Sequence, residues 1–260
     1  MTVTLLSDLG TRDASVTIAK AILMRYAPAS AIVDITHNVA RYDLQQAAYL
    51  LVAAYKHFPK GTVHILPIDV FSGDTPCLLL AKKNDHYFIA PDNGLLSLAF
   101  GSEIENKLRC FEFRKPHLFR DWIDSAGKVV ESLQKDSLSA YSPCEVKVAH
   151  RLLQPQVTPL GIDCNIRSID RYNNVVLDIT RPQFEEYING RPFKIRIMRM
   201  DDLTAISNNY NDVPSGKALC RFNDAGYLEI ALNHGSAAEK LGLTSANADN
   251  IGYRTIRIFF

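Results

Sequence analysis

The chain has no C-x-x-C cysteine pair and no histidines spaced as H-x-x-x-H or H-E-x-x-H. Its five cysteines, Cys77, Cys110, Cys144, Cys164 and Cys220, are scattered and odd in number. That pattern gives little support to a zinc site or a disulfide framework. It reads as small buried hydrophobes in a reducing compartment, so a cytoplasmic location and no metal are expected. No apolar run is long enough to span a bilayer, and the first residues lack a basic region followed by a signal-like apolar core. Neither membrane association nor secretion is therefore expected. A net charge of +1 over 260 residues removes the electrostatic case for nucleic acid or an anionic surface as partner.

What is present is a change of rhythm along the chain. Val3 to Leu6 reads as a strand, Ala14 to Tyr26 as a helix ended by Pro28, and Ala31 to Ile35 as a strand. Asp43 to Tyr55 reads as an alanine-rich helix stopping before Pro59, and Val63 to Ile68 as a third strand. This alternation predicts a parallel sheet with right-handed crossovers. Leu78 to Ala81, His86 to Ala90 and Leu108 to Phe113 read as further strands, and Asp121 to Leu133 as a helix. Beyond a proline-bearing join between Ser137 and Pro159 come short alternating strands separated by turns. They lie at Asn165 to Ile169, Val175 to Ile179, Phe193 to Met198, Tyr227 to Leu232 and Arg254 to Ile258. They predict a smaller antiparallel sheet or barrel. The expected domains are 1–145 and 146–260.

The richest segment is Ser7-Asp8-Leu9-Gly10-Thr11-Arg12-Asp13-Ala14-Ser15-Val16. In an open α/β sheet, ligands gather at the carboxyl ends of strands, and Asp8 falls at that edge. A carboxylate there can accept from both hydroxyls of a ribose. The loop lacks G-x-G-x-x-G spacing and a P-loop lysine, so it is no phosphate cradle. Asp13 and Ser15 also suit a helix cap. Asp69 closes the third strand at the same edge, and the two carboxylates suit either a division of labour over ligand and proton or a pair of loop caps. Pro91-Asp92-Asn93-Gly94-Leu95-Leu96 is a tight turn entering a short helix. In Asp170-Arg171-Tyr172-Asn173-Asn174-Val175, a hairpin turn is one reading. The other has Tyr172 stacking on a flat ring and Asn174 bonding its polar edge. Asn233, at the end of the stretch Asn223 to Asn233 and before a loop containing Gly235, suits either ordinary loop closure or the placing of side-chain and backbone groups against a base.

Together and in this order, these segments resemble the family of S-adenosylmethionine hydroxide adenosyltransferases and the related fluorinases and chlorinases. The resemblance runs over nearly the whole chain and includes Val33-Asp34-Ile35-Thr36-His37 and Phe58-Pro59-Lys60-Gly61-Thr62-Val63. It implies a Rossmann-like N-terminal α/β domain with a mostly parallel sheet. It further implies a C-terminal antiparallel β-barrel-like domain that completes the site, and a homotrimer with sites at subunit interfaces. The implied chemistry is attack of water or hydroxide on the ribose C5′ of S-adenosylmethionine, releasing adenosine and L-methionine without a cofactor. The resemblance makes Asp8 the ribose carboxylate and places Asp13 and Ser15 on the methionine side. Asp69 becomes the aspartate near the attacking water, Tyr172 the aromatic position, and Asn174 and Asn233 the ligand-binding asparagines.

Two positions depart from the family pattern. The place of the family arginine after Asp69 falls on Pro76. Alignment on Arg120-Asp121 puts Leu118 at the family histidine, with His117 one residue earlier. His117 is the candidate partner of Asp69 if that loop is shifted, and a surface histidine beside Pro116 otherwise. Fluorinases carry a serine where Phe119 stands. A non-catalytic adenosyl binder and a halide-using, chlorinase-like transferase are the alternatives to hydrolysis.

Overall fold

The computed structural model describes residues 1–73, 76–113, 118–147, 154–197, 201–243 and 255–260. The chain divides into two compact units, Met1–Arg151 and Leu152–Phe260.

The first unit begins with strand β1 (Thr2–Leu6), helix α1 (Ser15–Tyr26), β2 (Ala31–Thr36), α2 (Leu44–Ala54) and β3 (Val63–Ile65). It continues with β4 (Cys77–Lys83), β5 (His86–Pro91), α3 (Leu95–Phe100), β6 (Glu105–Glu112), α4 (Phe119–Gln134) and β7 (Ser142–Pro143). The seven strands form one sheet in the order β2-β1-β3-β5-β4-β6-β7. From β2 to β5 the pairing is parallel, and from β5 to β7 it is antiparallel. The expected parallel alternation therefore describes one half of the sheet. The other half begins where Asn84 and Asp85, at φ 50 and 62, turn β4 straight back into β5.

Strand alternation sends successive side chains to opposite faces. Val3, Leu5, Val63 and Ile65 pack with α1 and α4 around Trp122, Ala126 and Val130. Leu6, Phe88 and Ala90 pack with α2 and α3 around Ala47, Leu51 and Leu95. The third strand stops at Ile65 rather than Ile68. Leu66 still donates to Ile89 O at 2.8 Å, but Pro67 has no N–H to offer, and Ile68 N folds back onto Leu66 O at 2.8 Å. Helix α4 starts at Phe119 because Asp121 Oδ2 accepts from Leu118 N at 2.8 Å.

The second unit contains β8 (Gln156–Thr158), β9 (Gly161–Ile169), β10 (Val175–Thr180), α5 (Arg181–Ile188) and β11 (Lys194–Ile195). There follow β12 (Ala218–Phe222), β13 (Tyr227–Leu232), α6 (Ala237–Lys240) and β14 (Thr255–Phe259). Its strands run β11-β14-β9-β10-β13-β12, with β8 also on β9, and every pairing is antiparallel. The sheet curls into a half-barrel. One face carries Ile162, Cys164, Leu177, Ile179, Leu228 and Ile230, covered by Phe184 and Ile188 of α5.

Helix α5 was not anticipated, although Thr180-Arg181-Pro182-Gln183 carries its start signal. Gln183 Oε1 accepts from Thr180 N at 3.0 Å, and a proline fits the first turn. The strand expected at Phe193 to Met198 shrinks to β11, whose Ile195 bridges to Leu203; Met198 and Arg254 lie outside the described residues.

Two expected outcomes follow from the packing of the first unit. Helices α1 and α4 touch where Tyr26 lies on Gly127: a Cβ there would fall 2.2 Å from Tyr26 Cδ2, while Tyr26 Oη donates to Asp124 Oδ1 at 2.7 Å. Gly127→Ala raises helix propensity yet overpacks this crossing, so denaturant unfolding is expected to show a loss of about 1–3 kcal/mol. Beneath α2, His64 is fully buried, takes part in a 2.7 Å bond between its Nδ1 and Thr4 Oγ1, and lies 3.2 Å through Nε2 from His86 Nδ1. Burial, helped by His86, lowers its pKa from 6.5 to about 3. The unfolded chain then takes up a proton that the folded chain refuses, so stability present above pH 6.5 drains away as pH falls toward 3. The slope reaches about 1.4 kcal/mol per pH unit. Thermal melts across that window should show it, and His64→Leu should flatten it.

Candidate functional site

At the carboxyl end of the parallel strands, β1 leads away toward β2 on one side, while β3 lies on its other side. This is the switch point at which open α/β sheets gather ligands. Asp8 follows β1 there, and its Oδ2 accepts from Tyr42 N at 3.2 Å and from Asp69 N at 3.3 Å. The two expected carboxylates are thus brought together. Burial raises the pKa of Asp69; a hydrogen bond from Ser72 opposes the shift and the charge of Asp8 adds to it. Asp69 is also held at φ 46, in the left-handed region where aspartate and asparagine are the best tolerated residues after glycine.

Neighbouring groups fix this edge. Asn93 Nδ2 donates to Ile68 O at 2.9 Å, and its Oδ1 accepts from Leu95 N at 3.2 Å, so the turn before α3 clamps the residue preceding Asp69. Under Asp8, Ser7 Oγ and His37 Nδ1 are 2.7 Å apart, and His37 Nε2 lies 3.1 Å from Asp34 Oδ1 in a poorly aligned contact. Serine, histidine and aspartate here have the membership of a hydrolytic triad. Ser7 is nevertheless fully buried, so the set braces the loop and offers no accessible nucleophile. Asp13 Oδ1 accepts from Ser15 N at 2.8 Å, which lowers the Asp13 pKa; both residues stand at the start of α1. His117 lies outside the described residues, while Leu118 is exposed at the start of α4 and Pro76 is buried beside β4.

In the second unit, Asp170 organises the turn from β9 to β10. Its Oδ1 accepts from Tyr172 N and Asn174 N, both at 2.8 Å, and its Oδ2 accepts from Asn174 Nδ2 at 2.9 Å. Asn173 takes φ 61. The segment is a hairpin turn, and it leaves Tyr172 at 78% exposure while burying Asn174. Tyr172, Asn174 and Asn233 line one cavity of about 540 Å³, a size suited to a small ligand. Asn233 Nδ2 donates to Val213 O at 2.8 Å. Gly235 passes so close to Leu232 that a Cβ would meet its Cδ2 at 2.6 Å. Tyr210 and Asn211 also line the cavity and were missed, because they sit in a single 3-10 turn, Tyr210–Asp212, between strands and outside every segment singled out in the sequence. Among the described residues, no three His, Cys, Asp or Glu side chains converge to hold a metal ion.

Fold and site together define a two-unit protein whose first unit carries a carboxylate pair at an α/β switch point. The chain belongs to the SAM hydroxide adenosyltransferase family: residues 3–128 match its N-terminal domain and residues 164–248 its C-terminal domain. It is 32% identical to a protein of Methanocaldococcus jannaschii named (R)-S-adenosyl-L-methionine hydrolase, over 93% of this chain and 92% of that one. A Thermus thermophilus protein of the same name is 27% identical over 92% and 94% of the two chains. A fluorinase of Nocardia brasiliensis is 26% identical over 90% of each. The fold matches that of an uncharacterised conserved protein from Thermotoga maritima, with a TM-score of 0.84 over the full length of both chains at 24% identity.

The clamp on Asp69 is directly testable. Asn93→Ala removes both the donor to Ile68 O and the acceptor for Leu95 N, so equilibrium unfolding should register a loss of about 1–3 kcal/mol.

Proposed function

We propose that the chain hydrolyses S-adenosylmethionine at the ribose C5′, giving adenosine and L-methionine. The observation that carries this reading is the meeting of Asp8 and Asp69 through Asp8 Oδ2 and Asp69 N. Family membership and the names of the relatives support it. Asp8 accepts from the ribose diol. Asp13, whose carboxylate is kept ionised by Ser15 N, meets the methionine ammonium beside Ser15. Tyr172 stacks on the adenine, and Asn174 and Asn233 bond its polar edge.

The water oxygen forms its bond to C5′ as the C5′–S bond breaks. The electron pair goes to sulfur, which leaves as the neutral thioether of methionine. The water proton passes to Asp69, whose raised pKa makes it a stronger base than an ordinary carboxylate. Charge is lost as the sulfonium becomes a neutral thioether and the Asp69 carboxylate takes up the water proton, so a dry, aligned pocket favours the reaction without a metal or cofactor. His117 is the proposed partner of Asp69. Homotrimeric assembly with sites at subunit interfaces belongs to the same reading. It is supported by family membership and by Ile18, Met24 and Val33 exposed on α1 and edge strand β2. A cytoplasmic location fits five free thiols. No described helix is long and apolar enough to cross a membrane.

A second reading, adenosyl binding without turnover, is favoured by Pro76 and Leu118 at the family's arginine and histidine positions. The fluorinase relatives keep a halide nucleophile as a third. Incubation with S-adenosylmethionine, with and without chloride, separates them by chromatography. Hydrolysis predicts adenosine in both, with Asp69→Asn lowering kcat at least ~100-fold and Asp8→Ala, which removes both the ribose acceptor and the hold on Asp69 N, raising KM and lowering kcat together. The wild-type rate should fall on the acid side as Asp69 takes up a proton, on a limb displaced above 3.8, and Asp69→Asn should lack that limb. A 5′-halo nucleoside would establish the third reading. Tight binding without product would establish the second.

A further inference from the structure

The cavity of the second unit has a support that the proposed chemistry does not use. Along β13, Leu228 and Ile230 enter the apolar core, while Glu229 points to the other face and is still only 4% exposed. A carboxylate in that position is unfavourable unless it is satisfied. Its Oε1 accepts from Tyr210 Oη at 2.8 Å. Tyr210 comes from the segment preceding β12 and lines the cavity, and the Arg221 guanidinium of β12 lies over its ring, 4.8 Å from the centroid. One tyrosine is therefore held at its tip by an acceptor and over its face by a cation, which is more fixation than a surface loop side chain ordinarily has.

We propose that Glu229 is a positioning residue for the ligand of this cavity: by accepting from Tyr210 Oη it fixes the Tyr210 ring, braced by Arg221, as the rigid wall that meets the flat base. The inference rests on the adenosyl reading above and extends it to Glu229, Tyr210 and Arg221, to which that reading gives no role. The charged or titratable groups acting on Glu229 are Tyr210, Asp170 of the β9–β10 turn and Arg221, with Asn223 adding a hydrogen bond. Burial raises the Glu229 pKa, Tyr210 opposes that shift, Asp170 adds to it, and Arg221 opposes it. Acidification neutralises the acceptor, weakens its charge-assisted bond to Tyr210 and loosens the wall.

The test is calorimetric binding of adenosine to the full chain, at neutral pH and on acidification. Glu229→Ala and Tyr210→Phe should each weaken binding about ten-fold, because the phenylalanine keeps the ring but loses the bond that orients it. Glu229→Gln keeps an acceptor, so it should bind near the unmodified level at neutral pH and show a flatter acid dependence. That flattening is what a purely structural role would not produce. If Glu229→Ala does not fold, Tyr210→Phe and Glu229→Gln decide the matter. Unaltered affinity in folded Tyr210→Phe, or an acid dependence in Glu229→Gln as steep as that of the unmodified chain, overturns the inference while leaving the adenosyl reading in place. Failure of the unmodified chain to bind adenosine overturns that reading and the inference with it.

Discussion

One carboxylate oxygen, Asp8 Oδ2, accepts from the backbone of Tyr42 and of Asp69, residues that follow β2 and β3, while itself following β1. It thereby ties together the loops leaving three adjacent parallel strands. Hydrogen bonds to a charged acceptor are worth more than neutral ones, and here they fix backbone rather than a mobile side chain. The geometry of the candidate site descends from this tie. Asp69 stands near Asp8 because its own N–H is held there, and its basicity follows from the burial and the neighbouring charge that result.

Asp170 repeats the device in the second unit. It gathers Tyr172 N, Asn174 N and Asn174 Nδ2, so that an exposed aromatic and a buried amide leave one tight turn in fixed directions. In both units an aspartate oxygen holds backbone N–H groups and so sets the direction of the residues around it. Such loops resist collapse without needing an apolar core of their own. That suits a segment which must stay at the surface and keep its shape.

The fold was legible where pattern and chemistry agreed. Alternating apolar runs gave β1, β2, β10 and β13 nearly to the residue, and proline marked the ends of α1 and α2. Legibility failed where a single backbone property outweighed pattern. Pro67 ended β3 early despite an apolar run to Ile68, and a capping signal at Thr180 opened α5 in a stretch with little apolar periodicity. For the site, Asp8 and Asp69 could be assigned to one sheet edge from strand ends alone. Their direct linkage through Asp69 N could not, because it depends on a left-handed backbone that no sequence pattern marks. Tyr172, Asn174 and Asn233 could be named individually. Their convergence with Tyr210 is a property of the curled sheet, which brings residues far apart in the chain to one cavity.

The split character of the first sheet has a consequence for how such a chain diversifies. Its parallel half sends the loops after β1, β2 and β3 out at one edge, and those loops share Asp8 as a common fastening. Its antiparallel half turns within β4–β5 and carries none of the residues so fastened. Substitutions within β4, β6 and β7 therefore leave that fastening untouched, whereas those at the end of β5 reach it through Asn93, which donates to Ile68 O. The segment after Asp69, by contrast, leaves directly from the edge that Asp8 fastens, so substitutions there act on the placement of Asp69 itself.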